Sequence, residues 1–334
     1  MERLKVLVIR FSSIGDIVLT TPIVRALKQQ LPNVEIHYLT KKTNYSLLQN
    51  NKYIDKIHLL EDADLFRKLR SNKFDYIVDL HKNLRSFRIK ALLGVKSKSF
   101  PKLNLKKFLF VKFKINKLPN IHIVDRYFEA TSKLGVTNDK KGLDFFLQEE
   151  DFISPDALPL NFQNGYIAVV VGSKHYTKQM PLNILTEICK GIDKPIILLG
   201  DKGDWEKASK VGNAIGAKVF NGCGAYNINQ SSALIKNALG VITADTGLMH
   251  IASALDKNII CVWGNTVMDF GMYPYRSQNS EAETYNFEIK NLSCRPCSKL
   301  GYNQCPKKHF KCMNNQAVDE IIKIANNWKE NGTE

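Results

Sequence analysis

Ala238-Leu239-Gly240-Val241-Ile242-Thr243-Ala244 runs into Asp245-Thr246-Gly247, then Leu248-Met249-His250 and Ile251-Ala252-Ser253-Ala254-Leu255. The first seven residues read as a buried parallel strand, short and apolar. A helix then starts near Thr246. Its first amides have no intrahelical partner and carry the positive end of the helix dipole, so they suit phosphate oxygens. Gly247 lets a ligand approach the main chain. Thr246 and His250, four apart, share one helix face and put a hydroxyl and an imidazole beside the anion. The same residues also suit a plain capped helix start, with Asp245 as N-cap.

The strand-turn-helix unit recurs along the chain. In the first half, strands are expected at Val6–Ile9, Glu35–Leu39, Ile57–Leu59 and Tyr76–Leu80, with helical patterns over Asp16–Gln30, Asp64–Ser71 and Leu84–Leu93. Gln148–Gln163, with Pro155 and Pro159, reads as a linker. A second series follows, with strands at Tyr166–Val171, Pro195–Leu199, Lys218–Phe220, Leu239–Thr243 and Asn258–Val262. Helices fall between them at Pro181–Gly191, Asp204–Ile215 and Asn229–Asn237, and a last one is expected at Val318–Trp328. This alternation predicts two doubly wound parallel α/β domains, residues 1–160 and 161–334, with ligand in a cleft between them at the carboxyl ends of the strands. The 334-residue length suits two cores.

Each half presents a second loaded loop. After the first strand comes Arg10-Phe11-Ser12-Ser13-Ile14-Gly15-Asp16, where Asp16 stands at a helix start. Such a carboxylate is either an N-cap or a base held to accept a proton from an attacking hydroxyl. A helix start favours its ionised form. Pro22 implies a kink or a late helix start. In the second half, Gly172-Ser173-Lys174-His175-Tyr176-Thr177-Lys178-Gln179-Met180-Pro181 follows a strand. Its small residues and two lysines suit an anionic leaving group, and Lys178 facing the Asp245 turn would neutralise a departing diphosphate without a metal.

The net charge is +16. Much of it lies between Lys82 and Lys117, where lysines alternate with Phe100, Phe108, Phe110 and Phe113. That block suits an anionic partner, and the aromatics favour a membrane-proximal surface over nucleic acid. No RNA-binding, helix-turn-helix or basic-zipper signature is present. No apolar stretch reaches the roughly 20 residues that span a bilayer. Met1–Arg10 reads as a strand rather than a signal peptide, so a cytoplasmic location is expected.

Taken together, Ser12-Ser13-Ile14-Gly15-Asp16 with Pro22, Lys178-Gln179-Met180-Pro181, and Asp245-Thr246-Gly247 with His250 resemble glycosyltransferase family 9, the ADP-heptose:lipopolysaccharide heptosyltransferases. Asp79-Leu80 with Asn83-Leu84-Arg85-Ser86, and Asp125-Arg126-Tyr127, look like further family segments. The resemblance implies a GT-B architecture of two Rossmann-like domains. It implies inverting transfer of a heptose from ADP-heptose to the lipopolysaccharide inner core, by an enzyme peripheral to the cytoplasmic face of the inner membrane, with no cofactor in catalysis. By carry-over Asp16 is the catalytic base. Ser13, Ser173, Lys174, Lys178, Thr246, Gly247 and His250 surround the donor diphosphate, and Asp245 orients that loop or touches the donor. Asn83 and Arg85 would meet a phosphorylated glycolipid acceptor, and Asp201 or Asp204 the ribose. Met180 replaces the family's usual Trp.

Cys294, Cys297, Cys305 and Cys312, with His309 as an alternate, have ligand types for a structural zinc. Reduced thiols are the other reading. Rival functions are another nucleotide-sugar transferase or 2-epimerase, told apart by the need for an acceptor, and a basic nucleic-acid binder, which leaves the paired loops unexplained. A dinucleotide dehydrogenase lacks its GxGxxG after the first strand.

Overall fold

The computed structural model describes residues 3–329. Two compact units result. The first comprises the chain up to Leu103, Asn120–Phe146 and Tyr275–Asn279; the second comprises Asn104–Pro119, Leu147–Pro274 and the chain from Ser280 on. The grouping therefore differs from a single cut near residue 160. Asn104–Pro119 joins the second unit, and Tyr275–Asn279 joins the first. One cause of the second exchange is local: the Tyr275 ring stacks on His122 at 4.5 Å, and its hydroxyl meets Asn138 at 2.7 Å and Asp125 at 3.1 Å.

In the first unit the strands are β1 (Leu4–Ile9), β2 (Val34–Thr40), β3 (Lys56–Leu59), β4 (Tyr76–Asp79) and β5 (Ser97–Ser99). The helices are α1 (Ile14–Val18), α2 (Thr21–Gln30), α3 (Leu65–Ser71), α4 (Leu84–Leu93) and, after α5 (Asn104–Phe113) of the second unit, α6 (Ile123–Phe128). The strands pair in parallel in the order β3-β2-β1-β4-β5. The expected helix over Asp16–Gln30 is two helices, because Pro22 lies in the first turn of a fresh one.

The second unit contains α5 (Asn104–Phe113), β6 (Ile167–Val170), α7 (Leu182–Gly191), β7 (Ile196–Leu199), α8 (Trp205–Ile215) and β8 (Val219–Asn221). It continues with α9 (Ile228–Asn237), β9 (Gly240–Ala244), α10 (Gly247–Ala254), β10 (Ile259–Trp263), β11 (Thr284–Glu288), α11 (Lys311–Asn314) and α12 (Val318–Asn327). The order is β11-β10-β9-β6-β7-β8, again with parallel pairs. Strand alternation splits the core into two layers. Ile167, Val169, Ile196, Leu198, Ile242 and Ile260 face one layer. Ala168, Val170, Ile197, Leu199, Val241 and Cys261 face the other. The final helix packs on this unit: a Cβ at Gly191 would lie 2.4 Å from Ile322, and Trp328 closes over Gly240.

β5 and β11 escape the sequence reading. Ser97–Ser99 has no apolar periodicity, and Thr284–Glu288 forms a sheet edge with alternating polar residues. Phe100, read with the surface aromatics, is instead buried and meets Tyr127 edge-on at 4.7 Å.

Candidate functional site

In an open parallel sheet, ligands gather beyond the carboxyl ends of the strands where the winding direction reverses. The reversal falls between β1 and β4 in the first unit and between β6 and β9 in the second. The segments that follow these four strands carry Asp16, Asn83, Lys178 and Asp245 respectively.

In the first unit β1 hands over to the buried Arg10, which sets the loop. Arg10 Nε donates to the Ser12 carbonyl at 2.8 Å, its Nη1 donates to the Leu80 carbonyl after β4, and its Nη2 meets Asp16 Oδ1 at 2.6 Å. The other carboxylate oxygen, Oδ2, accepts from Ser13 Oγ at 2.7 Å and the Ser13 amide at 3.2 Å. Ser13 is the N-cap of α1 and Asp16 its third residue, so the expected Asp16 N-cap is not what forms. Ser13 lies in the first unit, where its hydroxyl orients this carboxylate. Tyr127 lies beneath Arg10, its ring centroid 5.9 Å from the guanidinium carbon.

Asp79, at the end of β4, is fully buried and organises the neighbouring loop. Its Oδ1 accepts from the His81 and Lys82 amides, and its Oδ2 accepts from Ser86 Oγ, Ser99 Oγ and Lys90 Nζ, the last at 2.9 Å. Burial pushes this carboxyl up, but the Lys82 amide, Lys90 and Ser99 outweigh it and hold the group below its ordinary range. Asn83 then caps α4, accepting from the Ser86 amide at 2.9 Å. A cavity of about 460 Å³ opens here. Phe11, Ser12, Lys41 and His81 form part of its wall, and α4 supplies Arg85 and Arg88 beside Asn83 and Leu84. The His81 ring lies 4.6 Å from that of Phe11; burial, with Arg10 nearby, pushes its imidazole down to about 4, so it is neutral near pH 7.

In the second unit Thr246 is the N-cap of α10. Its Oγ1 accepts from the Met249 amide at 3.2 Å and lies 3.0 Å from Thr243 Oγ1, which leaves the Gly247 and Leu248 amides at the positive helix end. Asp245 turns away from the cap. Its Oδ2 accepts from Lys178 Nζ at 2.6 Å and from Thr266 Oγ1 at 2.8 Å. Burial raises this carboxyl, but Lys178 and Thr266 prevail and keep it low, hence ionised. His250 is buried one turn into α10. Lys174 is exposed, and Ser173 accepts at its carbonyl from Gln179 Nε2 at 2.8 Å.

The pair left open by sequence separates here. Asp201 is exposed and accepts from the Gly203 amide at 2.7 Å. The Asp204 carboxyl is wedged between the loops after β6 and β7: a Cβ at Gly172 would fall 1.8 Å from Asp204 Oδ2, and one at Gly200 2.7 Å from it. Met180 lies in the core, donating nothing to the loop surface, while its carbonyl accepts from Lys207.

The cysteine-bearing loop braces the lysine-bearing one. The Tyr302 amide donates to Thr177 Oγ1 at 2.8 Å, Tyr176 stacks on Phe310 at 5.2 Å, and Gly301 lies against His175. Arg295 donates to the carbonyls of Gly264 and Ile289 at 2.6 Å and of Thr266 at 2.8 Å, which fixes the residue that holds Asp245. Among the described residues no three His, Cys, Asp or Glu side chains are arranged to hold a metal ion. Within the expected zinc set Cys294 Sγ lies 3.9 Å from His309 Nε2, and Cys312 is buried.

Sequence reasoning missed Arg10, Lys41, His81, Arg88, Thr266 and Arg295. For Arg10 a signal was present: a charged residue directly after an apolar strand stands where a parallel sheet presents its ligand.

The family model described as Glycosyltransferase family 9 (heptosyltransferase) matches residues 63–300. A "Lipopolysaccharide heptosyltransferase 1" of Campylobacter coli is 26% identical over 79% of this chain and 84% of its own. Two solved structures share the fold. A glycosyl transferase family 9 protein from Veillonella parvula has a TM-score of 0.76 at 21% identity, covering 97% of both chains. The E. coli heptosyltransferase WaaC with ADP has a TM-score of 0.66 at 18% identity, covering 96% of this chain and 100% of that one.

Proposed function

The chain belongs to glycosyltransferase family 9, and from that premise we propose that it transfers a heptose from ADP-heptose to the inner core of lipopolysaccharide, inverting the anomeric centre. The observation that carries the reading is the division of chemistry between the two switch points. One holds the Asp16 carboxyl locked by Arg10 and Ser13, and the other holds a helix N-terminus beside Lys178. The curated relative's name supplies the sugar and the acceptor class.

In this mechanism Asp16 accepts the proton of an acceptor hydroxyl as its oxygen bonds to the anomeric carbon. The bond from that carbon to the diphosphate oxygen breaks, and ADP leaves with the electron pair. Negative charge grows on the departing phosphate, where the Gly247 and Leu248 amides and the Lys178 and Lys174 ammonium groups stabilise it. Lys178 is shared with Asp245, so the donor meets a cation already fixed in place rather than a free surface lysine. Asp204 and Asp201 flank the loops after β6 and β7, where the ribose would lie. The cavity beside α4, with Lys41, Arg85 and Arg88, receives the anionic groups of the acceptor. Such an acceptor is lipid-borne, which supports a peripheral position of the enzyme at the cytoplasmic face of the inner membrane.

The test is a panel of ADP- and UDP-sugars incubated with heptose-free lipopolysaccharide acceptor, read by product mass. Gain of one heptose from ADP-heptose supports the reading. Sugar release without an acceptor, or preference for a UDP-sugar, overturns it.

A further inference from the structure

Helix α4 carries apolar side chains on both its faces. On a helical wheel Ser86, Ile89 and Lys90 point inward, with Ser86 and Ile89 buried and Lys90 paired to Asp79. The outward arc holds Leu84, Phe87, Ala91 and Leu92, at helical spacing, together with Arg85 and Arg88. Leu84 is 67% exposed, Phe87 62% and Leu92 50%. A surface helix of a globular protein ordinarily presents its polar face to water, so an apolar and basic outward face marks a contact surface. It carries no acidic residue.

The same helix opens the acceptor cavity. Arg85 and Arg88 belong both to the outward arc and to the cavity wall, beside Leu84. Resting on the reading above, that the acceptor is an anionic glycolipid, we infer that the outward face of α4 docks on an anionic lipid bilayer. Phe87 and Leu92 enter the acyl boundary, the two arginines stay at headgroup level, and the acceptor headgroup passes along Arg85 and Arg88 into the cavity. Basic residues beside bulky apolar ones fit the interface of such a bilayer. Among the described residues no helix is long and apolar enough to cross a membrane, so attachment of this kind lies along the surface.

The experiment is co-sedimentation of the full-length chain with phosphatidylglycerol-containing vesicles and with phosphatidylcholine vesicles, for the natural protein and for F87S/L92S. Both substituted positions lie outside the cavity wall. The natural protein binds the anionic vesicles preferentially and releases with salt, and the double variant binds them about tenfold or more weakly. Unchanged vesicle binding by the variant overturns the inference. So does a dimer of the natural protein, seen by sedimentation velocity and lost in the variant, because a second copy then covers the face. With a deacylated, soluble acceptor the variant keeps the natural turnover rate, and it falls behind only on vesicle-borne acceptor. Absence of turnover on either acceptor by both proteins counts against heptose transfer and leaves the vesicle result to decide the docking face.

Discussion

The Arg10 guanidinium holds Asp16 Oδ1 at 2.6 Å while reaching back to the carbonyls of Ser12 and Leu80. One buried fork therefore ties the end of β1, the end of β4 and the proposed base together. Arg10→Ala removes all three ties and takes the guanidinium away from the carboxylate. Turnover is expected to fall roughly 10- to 100-fold, within the range that general-base catalysis contributes. The affinity for ADP, proposed to rest on the second unit, stays within twofold. Steady-state kinetics with an ADP titration check both; an unaltered kcat removes Arg10 from the account.

Lys178 and Asp245 form a part-buried ion pair. Lys178→Ala strips the proposed donor site of its fixed cation and leaves the Asp245 carboxylate its hydrogen bond from Thr266. The expected result is weaker donor binding, slower turnover and a stability loss of about 3 kcal/mol. Adding Asp245→Asn removes the stranded charge, so the double variant recovers stability relative to Lys178→Ala without recovering turnover. Denaturant unfolding of the two proteins reads the difference, and simple additivity would mean that the residues do not couple.

Arg295 donates to three carbonyls and lies 3.1 Å from Glu288 Oε2. No lysine reproduces that fork. Arg295→Lys is expected to destabilise the protein by about 2 kcal/mol and to lower donor affinity through the displaced Thr266 carbonyl. Calorimetry and ADP titration on the same sample follow both effects. A stability loss with unchanged ADP affinity would separate the brace from the donor site.

His58 and His81 are both pushed down to about 4, chiefly by burial. His58 is packed against His37 at 2.9 Å between ring nitrogens. In the unfolded chain such groups titrate near 6.5. Below that pH the unfolded state binds protons that the folded state refuses, so stability is full above about 6.5 and declines toward pH 4. His58 alone accounts for about 3 kcal/mol of that decline. His58→Gln flattens the acid limb of a stability–pH curve, and an identical slope in the variant would contradict the assignment.

Much of this was legible in the chain itself. Alternating apolar runs give both parallel sheets, since a strand covered on both faces needs little else to declare itself. Asp16, Lys178 and Asp245 could be picked out because each follows such a run at a turn. The long-range contacts that hold them could not. Arg10 pairs with Asp16 across one turn, but its hold on Leu80 depends on β1 lying beside β4, a relation 70 residues apart. Arg295 reaches Gly264 and Thr266 through a loop whose course no periodicity describes. The zinc set read from cysteine spacing shows the converse. Spacing supplies ligand types, whereas Cys312 is buried and the described side chains do not converge on a metal position.

Asp16 as the base for heptose transfer is the centre of the account. Its most direct test is the mass of heptose-free lipopolysaccharide acceptor after incubation with ADP-heptose and either the natural protein or Asp16→Ala. The natural protein should add one heptose and release ADP. Asp16→Ala should be about 100-fold slower or worse, with ADP affinity nearly intact. Turnover near the natural rate in Asp16→Ala, or no heptose gain by the natural protein, contradicts it.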